Sequence, residues 1–171
     1  HALEEFSKNE IPRYPAELYD PVRYSLTLGG KRMRPLLLLF GCDLFDGSTK
    51  EAIPAALAVE LFHNFTLVHD DIMDNAPLRR AQPAVHKKWN SNVAILSGDA
   101  MMIFAYQLLC KTASANSDKI LTVFNSTALK VCEGQQLDMD YEKVNNLSIA
   151  QYIKMIELKT ALPFLHPEEF K

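Results

Sequence analysis

The chain has 171 residues, 48% of them apolar, and a net charge of −3 at neutral pH. That suits one packed domain or a large part of one, and it gives no bulk positive field for holding nucleic acid or an anionic membrane. Any phosphate chemistry must therefore come from a local cluster. Cys42, Cys110 and Cys132 are odd in number, far apart and set among apolar residues. They read as reduced core thiols of a cytoplasmic protein, not as a disulfide frame or a zinc site. No run of about 18 uncharged apolar residues occurs, so no membrane span is expected. The start at His1 carries no basic-then-apolar signal and reads as trimmed.

In chain order, nearly every segment reads as helix, and no period-2 alternation lasts long enough for a strand. "PAELYDPVRYSL" forms a first helix that stops at Gly29-Gly30. A second runs from about Met33 to Phe45 and ends at Asp46-Gly47. The third spans about Thr49 to Asn75, with Ser48 and Glu51 at capping-box spacing and Pro54 marking a kink or a later start. "AQPAVHKKW" is a connection, followed by helices from about Asn92 to Thr112 and from Asp118 to Tyr141. The last clear helix covers Ile149 to Ala161, opened by a capping box at Ser148 and Gln151 with Leu147 and Tyr152 placed for a staple.

The third helix carries the chemistry. At about 100° per residue, Glu60, His63, Asp70, Asp71 and Asp74 share roughly a 100° arc with Leu67. Leu57, Leu61, Phe65, Val68 and Ile72 fill another sector. A charge run is usually a solvated face. Here no Lys or Arg is interleaved between Lys50 and Arg79, and three close carboxylates repel one another unless cations neutralise them. Asp70 and Asp74 are i,i+4 neighbours, and all-oxygen ligation suits Mg²⁺, which readily takes substrate phosphate oxygens. Arg79 and Arg80 follow as phosphate-pairing guanidiniums. "GGKRMRP" (Gly29 to Pro35) is a second anion signal: two glycines free the backbone, and Lys31 and Arg34 lie i,i+3 at a helix start.

"LGGKRMRP", "LVHDDIMDNAPLRRAQPAVH", "GDAMM", "GQQLD" and "KTA" stand in the order and at roughly the spacing of the trans-isoprenyl diphosphate synthases (polyprenyl synthetases), which the chain resembles from about Pro15 to Ala161. The resemblance implies an all-α fold, an isoprenoid synthase helical bundle around a central cavity, as a homodimer. It implies a prenyltransferase that joins an allylic diphosphate to isopentenyl diphosphate with Mg²⁺, giving a C15 or C20 product. By resemblance, Asp70, Asp71 and Asp74 bind the metal that holds the allylic diphosphate, with Arg79 alongside. Lys31, Arg34, His63 and Arg80 hold isopentenyl diphosphate. Lys159 and Thr160 sit near the allylic diphosphate, and Gln135 and Asp138 face the same centre. Phe65 and Thr66 occupy the positions that help set product length, where Phe65 is either a floor to the cavity or ordinary core.

The resemblance also has gaps. The family's second aspartate-rich motif, downstream of "KTA", has no counterpart before the chain ends at "LPFLHPEEFK". The chain accordingly reads as a single partial domain over residues 1–171, not competent alone, with the tail after about 161 fitting a splice across missing residues. Ala81 stands where the family usually has Gly after the Arg pair. Two rival functions remain open: a non-catalytic subunit of a prenyl synthase, and a metal phosphohydrolase built on the His69-Asp70 pair. Against the second, His69 points about 160° from Asp71 on the wheel, which suits a satisfied core or interface histidine. His86 and His166 have no partner spacing and read as surface residues. Met101, Met102 and Phe104 read as helical core.

Overall fold

The structure is a computed structural model that describes residues 1–112 and 117–161. The all-helical class is borne out. Among the described residues eight α-helices run in order: α1 Ala2–Asn9, α2 Ala16–Thr27, α3 Met33–Leu44, α4 Thr49–Met73, α5 Val85–Lys88, α6 Ser91–Lys111, α7 Ser117–Tyr141 and α8 Ile149–Ile156. A π-helical turn over Glu157–Ala161 follows α8 directly. His166 and the tail after Ala161 lie outside the described residues.

The chain divides into two compact units, His1–Ala113 and Ser114–Lys171. In the first, α6 packs against α4, α2 and α5, and α3 lies on α4. Leu61, Met101 and Val22 are fully buried there, each contributing about 1.5–3 kcal/mol. Met101 is core as expected, whereas Met102 and Phe104 are half-buried, Phe104 meeting Phe6 edge-on at 6.0 Å and Tyr19 at 6.1 Å. By length and composition α6 could cross a membrane, with a mean hydropathy of 1.6 over its most apolar window. Ala94, Met101 and Ala105 at 0% exposure make it the core helix of this unit. In the second unit the π turn packs on α7 and α8.

The helix ends follow the predicted chemistry. Ser48 caps α4 by accepting from the Glu51 backbone N–H at 3.3 Å, and Pro54 lies inside a helix that begins at Thr49, before the proline. Asn90 caps α6, accepting from Val93 N–H at 2.9 Å. Ser148 and Gln151 complete a reciprocal capping box on α8. Helix α4 stops where Asn75 turns left-handed, at φ 50°, and the Ala76 N–H returns to the Asp71 carbonyl at 2.9 Å.

Several expectations needed correction. A short antiparallel hairpin pairs β1 (Leu78–Arg79) with β2 (Gln82–Pro83), where no strand was foreseen. Arg80 and Ala81 form its two-residue loop with φ of 52° and 63°, the pattern of a type I′ turn. Helix α1 was not foreseen either, and it buries only Phe6. Cys110 and Cys132 are exposed and Cys42 half-buried, so the thiols are free but not core. His86 is buried, and neither ring nitrogen has a hydrogen-bond partner. Its short helix turns the ring inward, which sequence spacing could not show.

Candidate active site

The first unit gathers two of the predicted clusters along α4. Asp70, Asp71 and Asp74 occupy its C-terminal end, where unpaired carbonyls already place negative charge. His63 stands two turns earlier and Glu60 almost another turn before that, at about 10 Å and 15 Å from Asp70 along the axis. The hairpin joins the clusters. Arg79 donates from Nε to Asp71 Oδ1 at 3.0 Å and Oδ2 at 3.2 Å, and from Nη2 to Oδ1. Arg80, next in sequence, donates from Nη1 to the Gly29 carbonyl. A Cβ on Gly30 would lie 2.8 Å from the Arg80 guanidinium carbon, so the glycine makes room for this arginine.

The hairpin is itself pinned. The Tyr24 hydroxyl donates to the Pro83 carbonyl at 2.9 Å, and Lys88 Nζ sits 3.7 Å over the Tyr24 ring. Lys87 Nζ donates to Asn75 Oδ1 at 2.6 Å, tying α5 to the end of α4. These contacts set where two consecutive guanidiniums can reach.

Lys31, Arg32, Met33, Arg34, Glu60, His63 and Arg80 line a cavity of about 160 Å³. Arg34 Nη1 lies 3.3 Å from His63 Nε2. An arginine only donates, so that ring nitrogen accepts and the histidine proton sits on Nδ1. Burial, then the charges of Arg34, Arg80, Arg32 and Arg79, push His63 down to about 3. It is therefore neutral at physiological pH. Burial also lowers Arg34 and Arg80, although both stay charged. The pocket thus concentrates four cationic side chains against one carboxylate, which is anion-binding chemistry.

Three residues of this pocket, Arg32, Met33 and Glu60, carried no predicted site role. Arg32 and Glu60 form an ion pair, with the Glu60 side chain 4% exposed. A buried glutamate on an apolar helix, sharing an arc with His63, was the available signal.

Among the three aspartates, Asp71 is 4% exposed at its side chain and taken up by Arg79, while Asp74 is exposed and Asp70 half-buried. The Asp71 hydrogen bond, ahead of its charge, raises Arg79. Asp70 and Asp74 fit a Mg²⁺ that takes one or two carboxylates and keeps phosphate and water as its other ligands. A closed cage of protein ligands does not fit: among the described residues no group of three or more His, Cys, Asp or Glu is placed to hold a metal. His69 lies 3.2 Å from the Ile95 carbonyl and 3.9 Å from Asp99, against Gly98 of α6. His69 is thus half-buried at the interface with α6, the interface role foreseen for it, and Asp71 is instead paired with Arg79.

Phe65 is half-buried, 5.8 Å from the Phe62 ring and 4.7 Å edge-on from the His69 ring. Thr66 is half-buried, and its hydroxyl donates to the His63 carbonyl at 2.8 Å.

The second unit gathers the other cluster. Lys159 Nζ is 2.5 Å from Asp138 Oδ2. Gln135 Nε2 is buried without a hydrogen-bond partner, and Thr160 is exposed. A Cβ on Gly134 would lie 2.4 Å from the Lys159 backbone nitrogen. Glycine in "GQQLD" thus lets the π turn approach α7, and π turns inside helices are frequent at functional sites.

The polyprenyl synthetase family model matches residues 15–169. This chain belongs to the polyprenyl synthetase family. It is 43% identical over 150 residues to the geranylgeranyl diphosphate synthase of Methanosarcina mazei, covering 86% of this chain and 46% of that protein. A crystal structure of a geranylgeranyl pyrophosphate synthase superposes with a TM-score of 0.88 and 51% identity, over 92% of this chain and 48% of the other. The polyprenyl synthase of Caulobacter crescentus, solved with calcium and isoprenyl diphosphate, matches with a TM-score of 0.87 and 29% identity, over 95% of this chain and 48% of that one. The chain spans about half the length of the curated relatives it matches.

Proposed function

We propose that the whole protein is a prenyltransferase that condenses an allylic diphosphate with isopentenyl diphosphate and releases a C15–C20 trans-prenyl diphosphate. The observation that carries this reading is the hairpin, whose consecutive residues Arg79 and Arg80 reach the aspartate cluster and the Gly29-Gly30 loop respectively. One diphosphate is held by Lys31, Arg34, His63 and Arg80, without a metal. The other lies at the aspartates, about 10 Å along α4, where Asp70 and Asp74 hold Mg²⁺ and Asp71 orients Arg79. When bound, Mg²⁺ supplies positive charge for the phosphate oxygens. That two diphosphate sites exist separates this reading from a phosphohydrolase, which needs one.

The residues divide the work by charge. Arg79 offers the guanidinium edge left over from Asp71 to negative charge that grows as the allylic diphosphate departs. Neutral His63 adds a hydrogen-bonding group without adding charge. Lys159, Thr160, Gln135 and Asp138 are the second unit's candidates for binding the allylic diphosphate, and the family match spans both units. We further place the enzyme in the cytoplasm as a homodimer, in keeping with free cysteines.

The test is direct. The full-length gene product is incubated with Mg²⁺, isopentenyl diphosphate and an allylic diphosphate, and the products are separated by chain length. Prenyl products identify the synthase. Phosphate release alone would instead mark a hydrolase, and silence would mark a non-catalytic subunit.

A further inference from the structure

We propose that Glu60 is a positioning residue: it fixes Arg32, and through Arg32 the loop of residues 29–34, so that Lys31 and Arg34 stand at the spacing of one diphosphate. This rests on reading the cavity as a diphosphate site. Glu60 is 3% exposed on an apolar helix. Its Oε1 accepts from Arg32 Nη1 and, at 2.9 Å, from Asn64 Nδ2. The Asn64 amide also donates to the Glu60 carbonyl at 2.8 Å. Arg32 spends its other terminal nitrogen on the Leu26 carbonyl, at 2.7 Å, in the last turn of α2. One guanidinium therefore ties the end of α2, the loop and α4 together.

The loop needs such a tie. Gly29, Gly30 and Arg32 have φ of 80°, 126° and 50°, a run that no helix or strand ladder supports. Helix α3 begins at Met33, and Arg32, its N-cap residue, gives it no side-chain cap. Both terminal nitrogens of Arg32 are committed, one to a carboxylate and one to a carbonyl. Arg32 is a strut between two cations that face the cavity.

The field of Glu60 and its geometry act in opposite directions. A carboxylate lining an anion site weakens anion binding through its charge. If Glu60 acted only by charge, Glu60→Gln would tighten binding. If it acts by holding Arg32, the same change weakens binding, because a neutral amide holds a guanidinium less firmly. Loss of spacing should also be felt most by a ligand that bridges two cations at once.

The experiment titrates the full-length gene product by calorimetry with inorganic pyrophosphate and, separately, with orthophosphate, in EDTA so that the aspartates take no part. Glu60→Gln should weaken pyrophosphate about tenfold and orthophosphate less than twofold. Arg32→Lys keeps the charge but cannot hold Glu60 and Leu26 together. It should lower the pyrophosphate-to-orthophosphate ratio several-fold, and it decides the matter if Glu60→Gln does not fold. Tighter or unchanged pyrophosphate binding in Glu60→Gln would overturn the proposal. So would an equal loss for both anions, which is what a merely structural role predicts. If the unaltered chain fails to bind pyrophosphate, the diphosphate site itself falls, an outcome distinct from failure of the positioning role alone.

Discussion

Ala81 holds φ at 63° in the second position of the hairpin loop, a conformation that costs a residue with a Cβ roughly 1 kcal/mol. Nothing compensates for it locally, since Ala81 is exposed and has no side chain to bond. Ala81→Gly should raise stability by about 0.5–1 kcal/mol, read from urea midpoints, although glycine loosens the unfolded chain. His63 is a second residue with a measurable consequence. Its proton affinity is pushed down to about 3 in the fold, from an ordinary value of 6.5. Above pH 6.5 it is neutral whether the chain is folded or not, so it adds no pH dependence there. Below that, the unfolded chain takes up a proton that the folded one refuses, and stability falls by at most about 1.4 kcal/mol per pH unit. Between pH 7 and pH 5, His63→Gln should therefore lose about 2 kcal/mol less than the unaltered chain. Phe65 bears on specificity. Its ring packs against Phe62 and His69, so Phe65→Ala opens space beside α4 at a cost of about 1–3 kcal/mol, less than for a fully buried Phe. In a full-length enzyme that survives the change, products should lengthen. An unchanged distribution would return Phe65 to the role of core.

At the scale of elements, the legible features were those with strong local chemistry. The apolar period and the caps at Ser48 and Ser148 placed α4 and α8 within a residue or two at their starts. The loop at Gly29-Gly30 was legible because glycine is the usual answer to positive φ. The hairpin was not, because Arg-Ala does not look like a type I′ turn, whose usual residues are Asn, Asp and Gly. Asp71 was legible as acidic but not as the partner of Arg79, since a wheel shows direction and not what waits there. His86 was misplaced for the same reason. The π turn was also hidden, because "ELKTA" continues the helical pattern and its close approach to Gly134 is a contact between residues distant in sequence. That approach makes a prediction with a discriminating sign. By helix propensity alone, Gly134→Ala in the middle of α7 should stabilise by about 1 kcal/mol. By packing, a Cβ 2.4 Å from the Lys159 nitrogen must push backbone away, which costs about 1–3 kcal/mol. Packing should win. Hydrogen exchange should quicken at the amides of residues 157–161, and the Lys159–Asp138 pair should loosen with them.

Across the molecule, the apolar patterning exceeds what the described residues bury. Met33, Leu36, Leu37, Phe40 and Leu44 form one stripe along α3, a helix with no buried residue, and Phe40 and Leu44 are 67% and 77% exposed. Ile149, Tyr152, Ile153 and Ile156 form a like stripe on α8. Scattered apolar residues on a surface are ordinary, but a contiguous stripe drives association in water. The 171-residue chain should therefore associate as its concentration rises, with an apparent mass in sedimentation velocity that grows with loading. Phe40→Glu with Leu44→Lys places opposite charges at i,i+4 on exposed positions, in the orientation that supports a helix. Because neither side chain is buried, the pair should leave the urea midpoint within about 0.5 kcal/mol. Association should drop sharply over the same concentration range. If the double variant lost several kcal/mol, Phe40 and Leu44 would be core residues after all. If it kept both its stability and its association, the contact would have to lie elsewhere, with the α8 stripe next to be charged.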